Sequence, residues 1–166
     1  NLNSKYLSSG FIASYSENNN LDWAIGIKDD STANFSTPDV LYNDKNGNVY
    51  LSGQHQGNLS TDPTLDSLST TLIPYGYSGF YLAKYGENQQ QKWSIDIGGS
   101  GFCRSRSIST DNNGNVYVSG NFSLTVDFNP SASTTNLIGL GGKDVFFAKY
   151  DSLGSLMWVK HLPGIV

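Results

Sequence analysis

Two turns in this chain carry the residue types a cation could use. They are "DKNGN" from Asp44 and "DNNGN" from Asp111. Oxygen-rich loops of this kind are what Ca2+ takes as ligands, but an EF-hand loop puts its glycine sixth and a bidentate glutamate twelfth. Here Gly47 and Gly114 come fourth, and no acid follows nearby. The expectation is a hairpin whose aspartate caps its own turn, with Ca2+ a minor option. His55 and His161 lie 106 residues apart, and each reads as a surface or edge residue. No base, orienting acid and nucleophile are visible together, so nucleophilic catalysis has no machinery here. Cys103 stands before Arg104 and Arg106, cations that favour a thiolate. With no second cysteine to resolve it, an inert thiol is the expectation.

Glycoside hydrolysis needs two facing carboxyl groups. The acids fall in turns, at Asp44, Asp111 and Asp151, or stand alone like Asp127. Turns recruit aspartate for backbone reasons alone. The aromatic run "PYGYSGFY" (Pro74–Tyr81) offers either a platform for a sugar ring or the start of a buried strand, and we favour the strand. The expectation is therefore no catalytic residue, no metal, no cofactor and no enzyme, with the ligand-binding residues unknown.

What frame would hold these residues? The 166 residues suit one ordinary domain. Charged residues are 14 %, against roughly 25 % in average soluble domains, and Asn, Ser, Gly and Tyr fill the difference. The net charge of −4 is spread out, without a basic stripe, which argues against nucleic acid and anionic membranes. No stretch approaches the roughly 20 apolar residues of a membrane span. One cysteine excludes an intrachain disulfide. A charge-poor, Asn/Ser/Tyr-rich chain suggests an extracellular bacterial setting. The opening "NLNSKYLSSG" has neither Met nor an apolar signal core, as expected of a processed chain or one that starts mid-protein.

Repetition supplies the frame. "DKNGNVYLSG" and "DNNGNVYVSG" share eight of ten positions, 67 residues apart. A second phrase recurs three times, with Ala13, Ala83 and Ala148 each followed ten residues later by Trp23, Trp93 or Trp158. Tyr15, Tyr85 and Tyr150 keep the same register. One unit is predicted to hold four strands. In the last unit these are about Arg106–Thr110, Asn115–Asn121, Asp144–Tyr150 and Leu156–His161. "NG" between β-branched runs predicts a type I′ hairpin. Runs such as "VFFA" and "LMWV" are apolar on both faces, so each sheet should be covered on both sides. Four-stranded sheets stacked about an axis satisfy that, which is the β-propeller, with each Trp a wedge between blades. A parallel β-helix has far shorter coils, and two stacked sandwiches would have too few strands per unit.

On these residues the chain resembles the bacterial seven-bladed β-propeller repeat family, whose units read "(D)xxGNVYVTG", "TVDF", "D(I/V)FVAKYDxxGxxxW" and "GGSG". The matches are "DNNGNVYVSG", "TVDFNP" (Thr125–Pro130), "KDVFFAKYDSLGSLMW" (Lys143–Trp158) and "GGSG" (Gly98–Gly101). The middle unit lacks the "TVDF" spacer, and the first has "ASY" in place of "AKY". The resemblance implies secreted or cell-surface proteins of adhesive or structural role. It also implies type IX secretion cargo in Bacteroidetes-like bacteria, with O-glycosylation at Asp-Ser/Thr sites. Ser31, Ser67 and Ser152 fit that pattern.

The expected architecture is all-β: a partial propeller of four-stranded antiparallel blades. Residues 1–38 form the outer two strands of a preceding blade and a link, 39–105 one complete blade and link, and 106–166 another complete blade, all within one propeller domain of a longer chain. Closure by oligomerisation is the lesser alternative. The long, dissimilar spacers Gln54–Ser78 and Phe122–Gly142 are the expected seat of any recognition. The expected function is adhesion, scaffolding or binding, with a carbohydrate-binding or glycan-hydrolysing propeller as runner-up. Expected partners are the rest of the same propeller or other surface proteins, then a glycan or secretion machinery.

Overall fold

The computed structural model of the chain describes residues 9–29, 36–62, 72–73 and 76–164, and among them the secondary structure is all strand and turn. The elements are β1 (Ser9–Tyr15), β2 (Leu21–Asp29), β3 (Ser36–Asn43), β4 (Val49–His55), β5 (Leu59–Ser60), β6 (Gly76–Tyr85), β7 (Gln91–Thr110), β8 (Val116–Phe122), β9 (Thr125–Asp127), β10 (Asn136–Ile138), β11 (Asp144–Tyr150) and β12 (Leu156–Leu162). Every pairing between them is antiparallel. The order β3-β4-β6-β7 makes a middle blade, and β7-β8-β11-β12 makes a last blade. The pair β1-β2 is the outer half of a first one.

Strand β7 serves two blades because it does not stop between them. Its N-terminal part closes the middle blade against β6, and Cys103–Thr110 opens the last blade against β8. The "GGSG" link is thus itself strand, and the predicted start at Arg106 is corrected to a continuous 20-residue run. The boundary drawn at 38/39 falls inside β3, and the one at 105/106 inside β7.

Side-chain alternation then builds two cores. One face of the middle blade, with Tyr50, Phe80, Leu82 and Ile97, packs on Val118, Phe122, Phe146 and Tyr150 of the last. Its other face, with Leu51, Tyr81, Ala83 and Tyr85, packs on Ile12, Ile25 and Ile27 of the first. Every residue of β4 is buried, as a strand covered on both sides requires. In the last blade β11 alternates buried and exposed, so "VFFA" is covered on one face only. Phe80 stacks on Phe146 across the core between the middle and last blades, rings 5.6 Å apart and nearly parallel.

The hairpin turns differ from the type I′ expectation. That turn needs positive φ at both central residues, yet only Gly47 (φ 75°) and Gly114 (φ 76°) have it. Their amides donate to the carbonyls of Asp44 and Asp111, three residues back. The turn is the three-residue kind, a type I turn followed by a left-handed glycine in a bulge. The Asp44 carboxylate supports it by accepting from the amides of Asn46 and Asn48, at 2.9 Å each.

Candidate functional site

The turn aspartates, both histidines and Cys103 are engaged in holding the blades or buried between them. Asp44 receives the two amides, the Asn48 side chain at 2.8 Å and the Tyr50 hydroxyl at 3.3 Å. Asp111 repeats this with Asn113, Asn115 and Tyr117, and adds Lys149 at 3.2 Å. A carboxylate offers about four lone-pair positions, so both are saturated. Partial burial opposes ionisation of Asp44, but the bonds from Asn48, Asn46 and Tyr50 outweigh it and hold the carboxyl below the usual range. The Asn115 side chain, then its backbone amide and Lys149, hold Asp111 well below that range. Between the turns lies a polar cleft of about 150 Å³, lined by Tyr42, Asp44, Lys45, Thr110, Asp111 and Asn112. Lys45 spans it to Asn112 at 2.7 Å. Its acids have no free lone pair for a cation, and no group of three metal-binding side chains occurs among the described residues.

His55 is not a surface residue. It is fully buried, with Nδ1 2.9 Å from the Gly57 carbonyl and Nε2 2.8 Å from Asp96. His161 lies 2.8 Å from Asp144, which also accepts the amides of Leu140 and Gly164 at 2.7 Å each. Those amides, then His161, hold the Asp144 carboxyl below its ordinary range. Sequence reasoning missed both pairs. One signal was available: Asp96 and His161 each stand three residues after the repeat tryptophan. Cys103 is buried, which pushes its thiol up. Arg104 turns away from it to form a bidentate pair with Asp39, at 2.6 and 3.0 Å. Both Asp39 and Arg106 sit at the register break of the first strand of their blades.

The spacers are the largest correction. Despite their different sequences they fold alike where they are described. Ser60 and Leu59 pair with Lys28 and Asp29 at the end of β2. Asp127 and Val126 pair with Gly98 and Gly99, the same repeat positions of β7. The Leu59–Leu72 bridge matches Val126–Leu137 of the β9–β10 hairpin. Tyr85 donates to the Thr61 carbonyl at 2.6 Å, and Tyr150 to the Phe128 carbonyl at 3.0 Å. So "NLST" replaces "TVDF" without changing its place, and each spacer clamps its own blade to the one before. The link glycines are there for close approach, since a Cβ on Gly99 or Gly101 would overlap the carbonyl of Thr125 or Ser123.

Trp93 stands between the middle and last blades and donates to the Ser152 carbonyl at 3.0 Å. Trp23 packs at the core between the first and middle blades. Trp158 lies on the outer face of the last blade with Tyr117 and Phe147, ring centroids 6.2 and 5.6 Å away. Around them Val145, Phe147 and Leu162 are exposed. The first blade likewise exposes Phe11 and Tyr15. Among the described residues, these two outer faces, one on each flank, each expose several apolar side chains. In "PYGYSGFY", Phe80 and Tyr81 are fully buried, whereas Pro74 and Tyr75 lie outside the described residues. Ser31 and Ser67 lie outside them too; Ser152 is half-buried in the β11–β12 turn.

No protein-family model matches the chain. Over 122 residues it is 34 % identical to an uncharacterized WD repeat-containing protein of Acanthamoeba polyphaga mimivirus, a match covering 69 % of this chain and 9 % of that protein. The chain thus spans only a small part of the length of that relative. WD repeats build four-stranded propeller blades, and the likeness agrees with the blades described above.

Proposed function

We propose that this chain is a non-enzymatic section of a β-propeller, serving as a scaffold or binding module of a secreted or cell-surface bacterial protein. One observation carries the reading: the turn aspartates, the histidines and the cysteine, which the sequence offers for acid, base, nucleophile or ligand roles, are tied into turns and blade contacts or buried. Asp44 and Asp111 have no free lone pair, Cys103 is buried, and His55 and His161 are paired to Asp96 and Asp144. The charge-poor composition and the sequence motifs support the bacterial, surface-exposed setting, with adhesion as its role and type IX secretion as its route. O-glycosylation at Ser31, Ser67 or Ser152 belongs to the same reading.

A glycan array and a glycoside hydrolase and lyase screen on the natural protein test the function. Uniform inactivity is the expected result; turnover or saturable glycan binding would move the function to a carbohydrate-active propeller with its site in other blades. Intact mass of the natural polypeptide tests the setting. A mass several times 18.0 kDa is expected of a longer propeller, and sugar-sized increments are expected if the serines are modified.

A further inference from the structure

His55 reaches across a strand to its partner. It stands on β4 and Asp96 on β7, and its neighbour on the intervening β6 is Gly79. A Cβ there would meet Asp96 Oδ1 at 3.2 Å, so the glycine leaves room for the imidazole to touch the carboxylate. The last blade fills the same three positions differently, with Phe122, Asp144 and His161. There Asp144 holds the amides of Leu140 and Gly164 as an anion, and His161 needs a single N–H to bond it, charged or neutral.

The middle blade asks for more. Both ring nitrogens of His55 face oxygens that accept: Nδ1 the Gly57 carbonyl at 2.9 Å, Nε2 the Asp96 carboxylate at 2.8 Å. A neutral imidazole has one N–H and one lone pair, so it satisfies one of the two. Both contacts are made when the pair holds one further proton, and the imidazole, the stronger base, carries it. The cation so buried is balanced by Asp96 at contact distance.

From this we infer that the His55–Asp96 pair is a proton-operated latch on the spacer that clamps the middle blade to the first, closed by an imidazolium and loosened as pH rises. Loss of the proton leaves one N–H, and the carboxylate keeps it, because a lone pair set against a charged oxygen is repelled more than one set against a carbonyl. The Gly57 contact is therefore the one that fails. Gly57 stands two residues before Leu59, which bonds the Leu72 carbonyl and pairs with Asp29 of the first blade. Other groups around the ring keep their charge through this change. Tyr81 of β6 lies edge-on to it at 6.0 Å and Cys103 of β7 lies within the field of Asp96; burial pushes both up, so both stay neutral. Asp39 of β3 acts on Tyr81 and is held by Arg104, and Asp62 of the spacer acts on Tyr85. Unfolded histidine gives up its proton near pH 6.5. The latch contributes fully below that value, and its contribution is lost as pH rises through deprotonation of the folded pair.

The test uses the natural protein, with 15N in its histidine rings for NMR, and hydrogen exchange of the middle spacer (residues 56–62) against the last spacer (residues 123–128). At pH 7.5 both ring nitrogens of His55 are expected to carry protons, its signals being those lost in His55→Phe. Between pH 6 and 9 the protection factor of residues 56–62, corrected for base catalysis of exchange, is expected to fall about tenfold or more, while that of residues 123–128 holds. Asp96→Asn is expected to leave one ring proton on His55 at pH 7.5. It should also bring spacer protection at pH 6 down to the level seen at pH 9, which a merely structural contact would not do. A singly protonated His55 ring at pH 7.5 in the natural protein overturns the inference. Level protection of residues 56–62 from pH 6 to 9 overturns it as well, whatever the variants do.

Discussion

The middle and last blades carry the same hairpin, the same Asp–Tyr–Lys group and the same tryptophan, yet one is covered on both faces and the other on one. Tyr81 and Phe80 are 0 % exposed on opposite faces of β6. At the matching positions of β11, Phe146 is 0 % and Val145 39 % exposed. What a repeat residue contributes therefore depends less on its type than on whether a neighbouring unit covers it. Stability in such arrays is a sum of intrinsic and nearest-neighbour terms, and each described spacer adds a strand to the second of these.

The largest test of that contrast sets Phe146→Ala against Phe11→Ala, the same third-strand register within a core and on an outer face. Removing the buried ring is expected to cost about 3–5 kcal/mol, and the exposed one less than about 1 kcal/mol, read from urea midpoints. Similar losses would mean that the outer face of the first blade is covered in solution. Next come the link glycines. Gly99→Ala or Gly101→Ala should cost about 1–3 kcal/mol by forcing the spacer backbone off the link, whereas Gly142→Ala, with open space around its Cβ, should be near neutral. A harmless Gly99→Ala would show that the spacer is not clamped.

Acid should separate the two turns. Asp44 and Asp111 both have folded pKa values below the usual range, Asp111 with the Lys149 pair in addition. Their contribution is present above the unfolded value of about 4 and fades as pH falls through the lowered folded values. Urea midpoints are expected to hold between pH 7 and 5 and to fall below pH 4. Asp111→Asn should remove more of that fall than Asp44→Asn; equal slopes in both variants would contradict the extra ion pair. The smallest effect concerns the β6–β7 turn, where Gln89 holds φ 58° and the last blade has Gly154 at 88°. Gln89→Gly should raise stability by about 0.5 kcal/mol, left-handed strain relieved less chain entropy lost. A loss would point to a side-chain contact at Gln89.

Much of the frame was legible because its signals are local. The last two strands of the last unit were placed to within a residue, since "DVFFAKY" and "LMWVKHL" are bounded by turn residues. The spacers were misjudged because their likeness is one of backbone path: "NLST" and "TVDF" share almost no side chains but meet the preceding blade at the same two positions. The turn type was missed because Asn-Gly suits both turns, and the choice fell to the aspartate that bonds the two amides ahead of it. His55 was misplaced because its partner Asp96 is 41 residues away.

By itself the sequence determined the period, the all-β class, the four-stranded unit and the turn positions, because side-chain alternation and turn chemistry act over a few residues. Only the tertiary structure decided which face of each strand is covered. It also decided how spacers stitch blades together, and that the turn aspartates and both histidines are tied into the frame. Those outcomes depend on backbone and side-chain partners tens of residues apart, brought together when one sheet packs on the next.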